Sequence, residues 1–264
     1  MRIQVATIAY NSGPGVKDWI VSAGSSDHQV RYQIFLHSDH TPTVVTCREL
    51  AARADVQLSD YRVNRGVSRS WNDAVLEGYS SGAELVVLSN DDIRFGPGDL
   101  DRLVAYAADH PEAFMVGCAG VDVRAAEHKA SHDFACFVLN PVALEVLGCF
   151  DENITPAYEE DHDYTRRAIL AGLPMESCPA TRVVHQGSGT IYRDAVLFEE
   201  NRSTHWDNWI YYQRKWGGPW ENEVFTSPFG NREFGVRIAP EARHRPYGEF
   251  DRPHLRQTSS SQAT

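Results

Sequence analysis

The chain has 264 residues, of which 42% are hydrophobic and 23% are charged. This composition is typical of a globular protein and excludes fibrous, collagenous and disordered chains. Lys and Arg number 25 against 36 Asp and Glu, so the formal net charge is −11 at pH 7. An acidic chain is a poor default binder of nucleic acids and anionic membranes, although a local basic patch could override the global charge.

The apolar runs and the cysteines of the sequence indicate the cellular compartment of the protein. No stretch approaches 18 consecutive apolar residues, so no transmembrane helix is predicted, while peripheral membrane contact stays open. The opening residues, MRIQVATIAYNSG, indicate a strand rather than a secretory signal. The five cysteines include no CxxC pair, which argues against a disulfide framework or a zinc knuckle. We therefore expect reduced, mostly buried thiols in a cytoplasmic protein.

Strand and helix patterns alternate over the first 120 residues. Short apolar runs predict strands over residues 3–9, 32–36, 85–88 and 114–118. Apolar residues at helical spacing predict helices over residues 43–54, 67–79 and 100–108. This alternation predicts an α/β domain with a mostly parallel central sheet.

The second half of the chain is less regular. Its patterns predict strands over residues 134–139 and 182–185 and helices over 141–147, 159–171 and 204–216, the last rich in aromatic residues. Periodicity is lost after about residue 221, and we expect that part to wrap the domain or to be partly mobile. Residues 258–264 are small and polar, and we expect them to be disordered.

The turn Asn90-Asp91-Asp92 directly follows a buried apolar strand. Ligands of open α/β sheets bind at the carboxyl ends of strands, and adjacent carboxylates there need a compensating cation or donors. Mg²⁺ and Mn²⁺ prefer carboxylate oxygens and often share them with substrate phosphates. The turn therefore indicates either a metal–diphosphate site or a turn that caps the next helix.

Four acids lie within residues 158–163, at the start of a predicted helix. Acids favour helix N-termini through the macrodipole, so a solvated first turn would explain them. The other interpretation is a general base that faces a pocket. His185 follows a predicted strand, and it would be a metal ligand only if it converges with Asp92 on one ion.

A third polar segment begins at Asn64-Arg65-Gly66 and continues into a predicted helix. Gly66 permits an unusual backbone conformation or the close approach of a ligand. Arg65 or Arg69 could bind a phosphate or a carboxylate, although a loop beside a solvated helix face would explain the same residues.

Taken in order, these segments resemble the family-2-type glycosyltransferases of the GT-A fold. The resemblance covers residues 3–192 and rests on YN at 10–11, NRGVSRSWNDA at 64–74, VVLSNDD at 86–92, GCFDE at 148–152, EEDHDYTRRAILAG at 159–172 and VVHQGSGT at 183–190. It implies a Rossmann-like α/β/α sandwich over residues 1–200. Residues 1–120 would bind the nucleotide sugar, residues 121–200 would form the acceptor and catalytic half, and residues 201–264 would be a C-terminal extension.

The same resemblance implies roles for individual residues. The donor nucleotide would contact Ala9, Asn11, Asp39, Arg65, Gly66, Asn72, Asn90 and Asp91. Mn²⁺ or Mg²⁺ would be held by Asp92 and His185. The family's metal-binding DXD motif corresponds to Asn90-Asp91-Asp92. Its first position is Asn here instead of Asp, as in a subset of the family, and this lowers the expected metal affinity. Glu160 and Asp161 would be catalytic, with Asp161 as the general base.

The implied activity is the transfer of a sugar from a nucleoside-diphosphate donor to an acceptor hydroxyl, with inversion of the anomeric configuration. UDP is the nucleotide that the resemblance favours. The acceptor could be a glycan, a lipid-linked glycan, a protein or a small molecule. Departure of the diphosphate needs positive charge, and attack of the hydroxyl needs a base on the opposite face of the sugar. The alternatives are a nucleotidyltransferase or a sugar-nucleotide-binding protein of the same fold that is hydrolytic or non-catalytic.

The C-terminal part carries two further features. Aromatic residues are frequent over 205–220, and Trp206 and Trp209 could form a platform for an acceptor sugar. Packing of this helix onto the domain is the favoured interpretation, and homodimer formation is a third. Residues 237–256 are rich in Arg and His. They could fold over phosphates or hold an anionic acceptor, although a solvated tail is the interpretation that we favour.

Overall fold

A computed structural model describes residues 1–131, 133–186 and 195–250. Its strands are β1 (Arg2–Ala9), β2 (Gln29–Leu36), β3 (Val56–Asp60), β4 (Leu85–Asn90), β5 (Ile93–Arg94), β6 (Met115–Asp122), β7 (Glu127–Lys129), β8 (Cys136–Leu139) and β9 (Met175–His185). Its helices are α1 (Gly13–Ala23), α2 (Thr41–Leu50), α3 (Val67–Ser80), α4 (Asp99–Asp109), α5 (Pro141–Val146), α6 (Glu160–Ala171) and α7 (Ala195–Trp216).

The described strands form one sheet in the order β3-β2-β1-β4-β8-β6-β9-β5, with β7 paired to β6. Strands β3, β2, β1 and β4 run parallel to one another, and β9 runs parallel to β6. Strand β8 is antiparallel to both β4 and β6. The mixed α/β class with a mostly parallel central sheet is thus confirmed, and the carboxyl ends of β1, β2 and β4 lie at one edge.

Apolar side chains cover both faces of this sheet. Val5 and Val87 point into one core with Trp19 of α1, while their chain neighbours Ala6 and Val86 point into the other with Trp71 of α3. Because successive strand residues alternate between faces, a strand that is buried on both sides must be apolar throughout. This requirement explains the continuous apolar run of β4.

Several elements extend beyond the sequence predictions. Helix α1 was not predicted, because its opening Gly-Pro-Gly resembles a turn, yet Pro is well tolerated in the first turn of a helix. Strand β3 is a half-buried edge strand with little apolar signal. Strand β9 begins at Met175, and its Pro179 lies in the irregularity where the pairing register with β6 shifts.

The C-terminal part of helix α7 packs its aromatic residues against the rest of the domain. Tyr211, Tyr212 and Trp216 are buried, which supports the packing interpretation of this part of the aromatic cluster. The described helices include none that is long and apolar enough to cross a membrane. The segment 258–264, expected to be disordered, and most of the predicted loop 186–190 lie outside the described residues.

Candidate functional site

The ends of β1 and β2 place three of the predicted donor-binding residues side by side. Ala9 is buried at the end of β1, and its carbonyl accepts a hydrogen bond from the backbone N–H of His37 at 3.0 Å. Asn11 has a positive φ of 52°, and its side-chain carbonyl accepts a hydrogen bond from the Ser38 hydroxyl. Asp39 follows and is exposed. At this edge the exposed carboxylate of Asp39 therefore lies beside a polar turn that the Asn11–Ser38 hydrogen bond holds in place.

The turn after β4 contains two carboxyl groups in different surroundings. Asp91 is buried beside the start of α1, and burial together with the charge of Asp92 raises its pKa to about 8. The Ser12 side chain, which hydrogen-bonds this carboxyl, opposes the shift. Asn90 is exposed and Asp92 is partly exposed. The two neighbouring carboxyls thus differ: Asp91 is buried and favours its neutral form, whereas Asp92 is partly exposed at the edge of the sheet.

Asp92 and His185 lie in contact at this edge, and their role as metal ligands stays a prediction. The imidazole Nε2 of His185 lies 3.3 Å from Asp92 Oδ1, and its Nδ1 lies 3.5 Å from Asp122 Oδ2. Burial disfavours the imidazolium, but hydrogen bonding to Asp92 and the charges of both acids outweigh this and raise the pKa of His185. Asp122, at the end of β6, was missed because nothing in its local sequence distinguishes it from an ordinary strand end.

The donor set at this edge fits a divalent cation only in part. In the described ranges of the chain, no group of three or more His, Cys, Asp or Glu side chains could hold a metal ion. Asp92 and Asp122 flank opposite nitrogens of His185, so they do not face one common point. A carboxylate oxygen and the Nε2 of an imidazole are nevertheless suitable Mn²⁺ ligands, and Mg²⁺-type sites leave positions for water and phosphate.

A second group of polar residues lies in the loop before α3 and in the first turns of that helix. His37 is buried, and burial together with the nearby Arg65 charge lowers its pKa to about 4. The neutral ring accepts from the Arg65 backbone N–H at 3.4 Å and lies 2.9 Å from the Ser70 hydroxyl. The Arg65 guanidinium stacks on the Tyr61 ring at 3.9 Å and pairs with Asp73 at 3.2 Å. Arg65 is therefore held on several sides.

Asn72 lies deeper than a surface contact residue. Its amide donates to the Phe150 carbonyl at 3.0 Å and to Glu152 Oε1 at 3.1 Å, and its carbonyl accepts from the Phe150 N–H at 2.7 Å. The side chain is buried. In this structure Asn72 ties α3 to residues 150–152, and its predicted contact with the nucleotide stays a prediction.

Gly66 brings the donor-side loop against the chain that leads into α6. Its φ is +83°, and an added Cβ would lie 2.6 Å from Thr155 Oγ1 and 3.2 Å from the Pro156 carbonyl oxygen. The next residue, Val67, donates its backbone N–H to that carbonyl at 2.7 Å. Glycine is needed both for the backbone conformation and for the close approach.

We predict that Gly66→Ala destabilises the fold by about 1–3 kcal/mol, because it combines backbone strain with a steric clash. Gly172→Ala is the matched control, since Gly172 has a φ of +72° but nothing within 4 Å of its added Cβ. Urea unfolding of both variants separates strain from clash. An equal loss in the two variants would contradict the role of the close approach to Thr155.

The first turn of α6 carries the predicted catalytic acids. Glu160 is buried, and burial with the adjacent Asp161 charge raises its pKa well above the usual range. Asp161 is partly exposed, and its Oδ1 accepts the backbone N–H of His162 at 2.8 Å. Glu159 is buried at the helix start and contacts His162 Nδ1 at 3.0 Å and His205 Nε2 at 3.3 Å. Of the adjacent pair, Asp161 is the accessible carboxyl.

Asn208 of α7 fixes the backbone that leads into this turn. Its buried side chain donates to the carbonyls of Ala157 at 2.8 Å and Tyr158 at 3.0 Å, and it accepts from the Thr155 N–H at 3.3 Å. Tyr158 and Glu159 both have positive φ, 73° and 76°, which costs free energy for non-glycine residues. Sequence reasoning missed Asn208, because an Asn within an aromatic-rich helix carries no signal of its partner.

We predict that Asn208→Ala lowers kcat about ten-fold or more in a transfer assay while it changes nucleotide affinity far less. Loss of three backbone contacts lets the turn relax, and small misplacements of a catalytic group are costly. Gln213→Ala on the same helix is the control. A variant that keeps wild-type kcat would show that Asn208 does not position the turn.

The predicted acceptor residues flank Asn208 on α7. Trp206 is 59% exposed, and its ring stacks on Trp209 with the centroids 4.7 Å apart. The Tyr158 ring stacks on His205 at 4.8 Å, and His205 contacts Glu159 at the start of α6. The stacked pair of the exposed Trp206 and the partly buried Trp209 is thus close in sequence to His205, which contacts the acidic turn, and its acceptor role stays a prediction.

No family model matches the chain. A galactofuranosyl glycosyltransferase from Leishmania donovani is 42% identical over 60 residues, which is 22% of this chain and 13% of that protein. The chain therefore spans only a small part of that relative.

Among solved structures, the mannosyltransferase PcManGT of Pyrobaculum calidifontis, in complex with GDP-Man and Mn²⁺, matches with a TM-score of 0.57 and 15% identity. The match covers 79% of this chain and 64% of that one. TarS 1–349 of S. aureus in complex with UDP-GlcNAc matches with a TM-score of 0.56 and 13% identity, over 77% and 65% of the two chains. The chain spans less than two thirds of either structure. The predicted fold class is confirmed, since the fold is that of solved glycosyltransferase structures.

Proposed function

We propose that this protein is a family-2-type glycosyltransferase. It moves a sugar from a nucleoside-diphosphate donor to an acceptor hydroxyl with inversion of configuration. The observation that carries the proposal is the meeting of Asp92 and His185, 3.3 Å apart, at the edge of a sheet shared with glycosyltransferase structures. Ligands of such sheets bind at the carboxyl ends of the strands.

The donor side of the proposal uses the ends of β1 and β2 and the loop before α3. Asn11 and Asp39 would bind the nucleoside, and Gly66 would allow the donor to approach the backbone. Arg65 lies in this loop with its guanidinium fixed by Tyr61 and Asp73, which suits recognition of an anionic group without reorganisation. UDP is the first nucleotide to test, and GDP is the second.

The acceptor side uses the first turn of α6. Asp161 would take the proton from the acceptor hydroxyl as that oxygen attacks the anomeric carbon, and the bond from this carbon to the diphosphate would break in the same displacement. A single displacement inverts the configuration. Burial raises the pKa of Glu160, so its carboxyl would stay mostly neutral and would support the conformation of this turn. The acceptor would lie near the exposed Trp206 and the partly buried Trp209.

A divalent cation, Mn²⁺ or Mg²⁺, would be held by Asp92 and His185. When bound, it supplies positive charge to the diphosphate leaving group. Asp122 lies on the far nitrogen of His185, where a carboxylate orients a metal-binding imidazole in many sites. The PcManGT structure contains Mn²⁺ with GDP-Man, which supports a metal requirement here as well.

A donor panel tests the proposed activity. UDP- and GDP-linked hexoses would be incubated with the protein, Mn²⁺ and a mixture of simple sugars and hydroxylated glycosides, and the release of UDP or GDP would be measured. We expect release from one donor class and a new glycoside in the products. Free sugar alone would indicate a hydrolase, and the absence of release from every donor would contradict the proposal.

A further inference from the structure

The C-terminal strap, defined as residues 236–250, is packed against the domain rather than free in solvent. Ile238 forms an isolated parallel bridge with Gly148, and backbone hydrogen bonds of 2.8 and 2.9 Å join it to Cys149 and Leu147. Tyr247 is buried in a cluster with Cys149 and Ile238. The strap is therefore an ordered, packed part of the domain as far as Phe250, the last described residue.

Arg243 of the strap binds two acidic side chains that are far apart in sequence. Its Nη2 lies 2.7 Å from Asp73 Oδ1, and its Nε lies 3.2 Å from Glu152 Oε1. Asp73 belongs to α3, and Glu152 lies in the loop that leads to α6. His244 adds a 2.5 Å contact from Nδ1 to Glu152 Oε2. The side chains of Arg243, Asp73 and Glu152 are 16%, 18% and 5% exposed, so the two contacts of Arg243 are shielded from solvent, whereas His244 is 51% exposed.

The same two acids also hold residues on the donor side. The other oxygen of Asp73 pairs with Arg65 at 3.2 Å, and Glu152 accepts from Asn72 at 3.1 Å. Arg69 lies 3.9 Å from Glu152 and is 44% exposed. Each acid thus joins the strap to α3 or to the loop before it. A shift of Arg243 would release Asp73 and with it one of the contacts that fix Arg65.

The charges in this cluster do not cancel. Three guanidinium groups, those of Arg65, Arg69 and Arg243, face the two carboxylates of Asp73 and Glu152. One positive charge therefore remains before His244 is counted, in a protein whose overall charge is −11. Such a local excess beside the donor-side loop suits a diphosphate, because arginine binds phosphate oxygens in a fixed geometry.

We propose that Arg243 is a positioning residue for the donor site: through Asp73 and Glu152, the C-terminal strap sets the position of Arg65 and strengthens the binding of a nucleoside diphosphate. This inference rests on the proposed function. It assigns residues 236–250 to the donor side of the molecule, although they follow every catalytic motif in the sequence. Because linkage is reciprocal, bound nucleotide also stabilises the docked strap.

The test measures the Kd of UDP and of GDP, each with Mn²⁺, by isothermal titration calorimetry. We expect Arg243→Ala to weaken binding of the preferred nucleotide about 3- to 30-fold, the usual range for a coupling carried by intermediate residues. Arg243→Lys keeps the charge but cannot span both acids, and it should fall between wild type and Ala. Arg237→Ala is the matched control, because Arg237 lies in the same strap and contacts only the Glu145 carbonyl in the described contacts.

A double-mutant cycle separates positioning from general stability. In an Arg65→Ala background, Arg243→Ala should change the Kd by less than two-fold, because its effect is carried by Arg65. Additive losses, or an Arg243→Ala variant with wild-type affinity, would overturn the inference and leave the proposed function standing. If the wild type binds neither UDP nor GDP, the same titrations are run with dTDP, CDP and ADP; if none of the five binds, the proposed function fails and this inference fails with it. Arg243→Lys gives the same readout if the Ala variant does not fold.

Discussion

We expect Asp161→Asn to lower the kcat of sugar transfer at least about 100-fold and to leave the affinity for the nucleoside diphosphate nearly unchanged. A positioned general base contributes about 10²- to 10⁴-fold, and an amide cannot accept the proton of the attacking hydroxyl. Asp161 is the partly exposed member of the acidic pair at the start of α6, and it is not among the residues proposed to bind the nucleotide. The measurement is product formation under single-turnover conditions with saturating donor.

Two controls sharpen this prediction. Glu160→Gln should reduce turnover much less than Asp161→Asn, because burial raises the pKa of Glu160 and disfavours its ionised form, which a base requires. Asp109→Asn, an exposed acid at the end of α4, should have no effect. If Asp161→Asn retains more than about 1% of turnover, the general base is another residue.

Lys215→Ala produces the largest expected loss of stability, about 3–5 kcal/mol, because it leaves two buried carboxylates without their shared cation. The Lys215 ammonium lies 2.8 Å from Asp151 Oδ2 and 2.6 Å from Asp163 Oδ1, and all three side chains are essentially inaccessible to solvent. Arg167 pairs with the second oxygen of Asp163 at 3.0 Å. Asp163 would therefore keep one partner in the variant, and Asp151 would lose its cation.

Urea unfolding measures this loss, and Arg214→Ala is the matched control. Arg214 is the exposed neighbour of Lys215 on α7, and its replacement should change the free energy of unfolding by no more than about 0.5 kcal/mol. A loss below about 1 kcal/mol for Lys215→Ala would show that the buried acids find other compensation. The ion pairs join α7 to α6 across the predicted boundary at residue 200, so the loss should also perturb the turn that holds Asp161.

Patterns within short windows predicted much of the fold. Short continuous apolar runs located β1, β2 and β4, because strands that are buried on both faces are apolar throughout. Helical spacing located α3, α4 and α6, because burial of one helix face imposes that period. The strand end at Asn90 also follows from the sequence, whereas the contact of Asp92 with His185 was only a condition that the resemblance suggested. Elements with weak burial or turn-like openings, such as α1 and β3, carry no such periodic signal.

Contacts between distant segments could not be predicted in the same way. Among the acids of residues 158–163, the sequence does not distinguish the buried ion-pair partner Asp163 from the accessible Asp161, because the difference is set by α7. The partners of Arg243 lie 170 and 91 positions earlier in the chain. A single sequence contains the charges but not the distances between them.

The most direct test of the central claim is the melting temperature of the protein with UDP, GDP, dTDP, CDP and ADP, each with and without Mn²⁺. A ligand at about 100 times its Kd adds roughly 2.7 kcal/mol, which corresponds to a shift of about 5–10 °C for a chain of this size. We predict that one diphosphate produces this shift only with Mn²⁺, and that Asp92→Ala removes it. The absence of a shift with every nucleotide would contradict a donor site at this edge of the sheet.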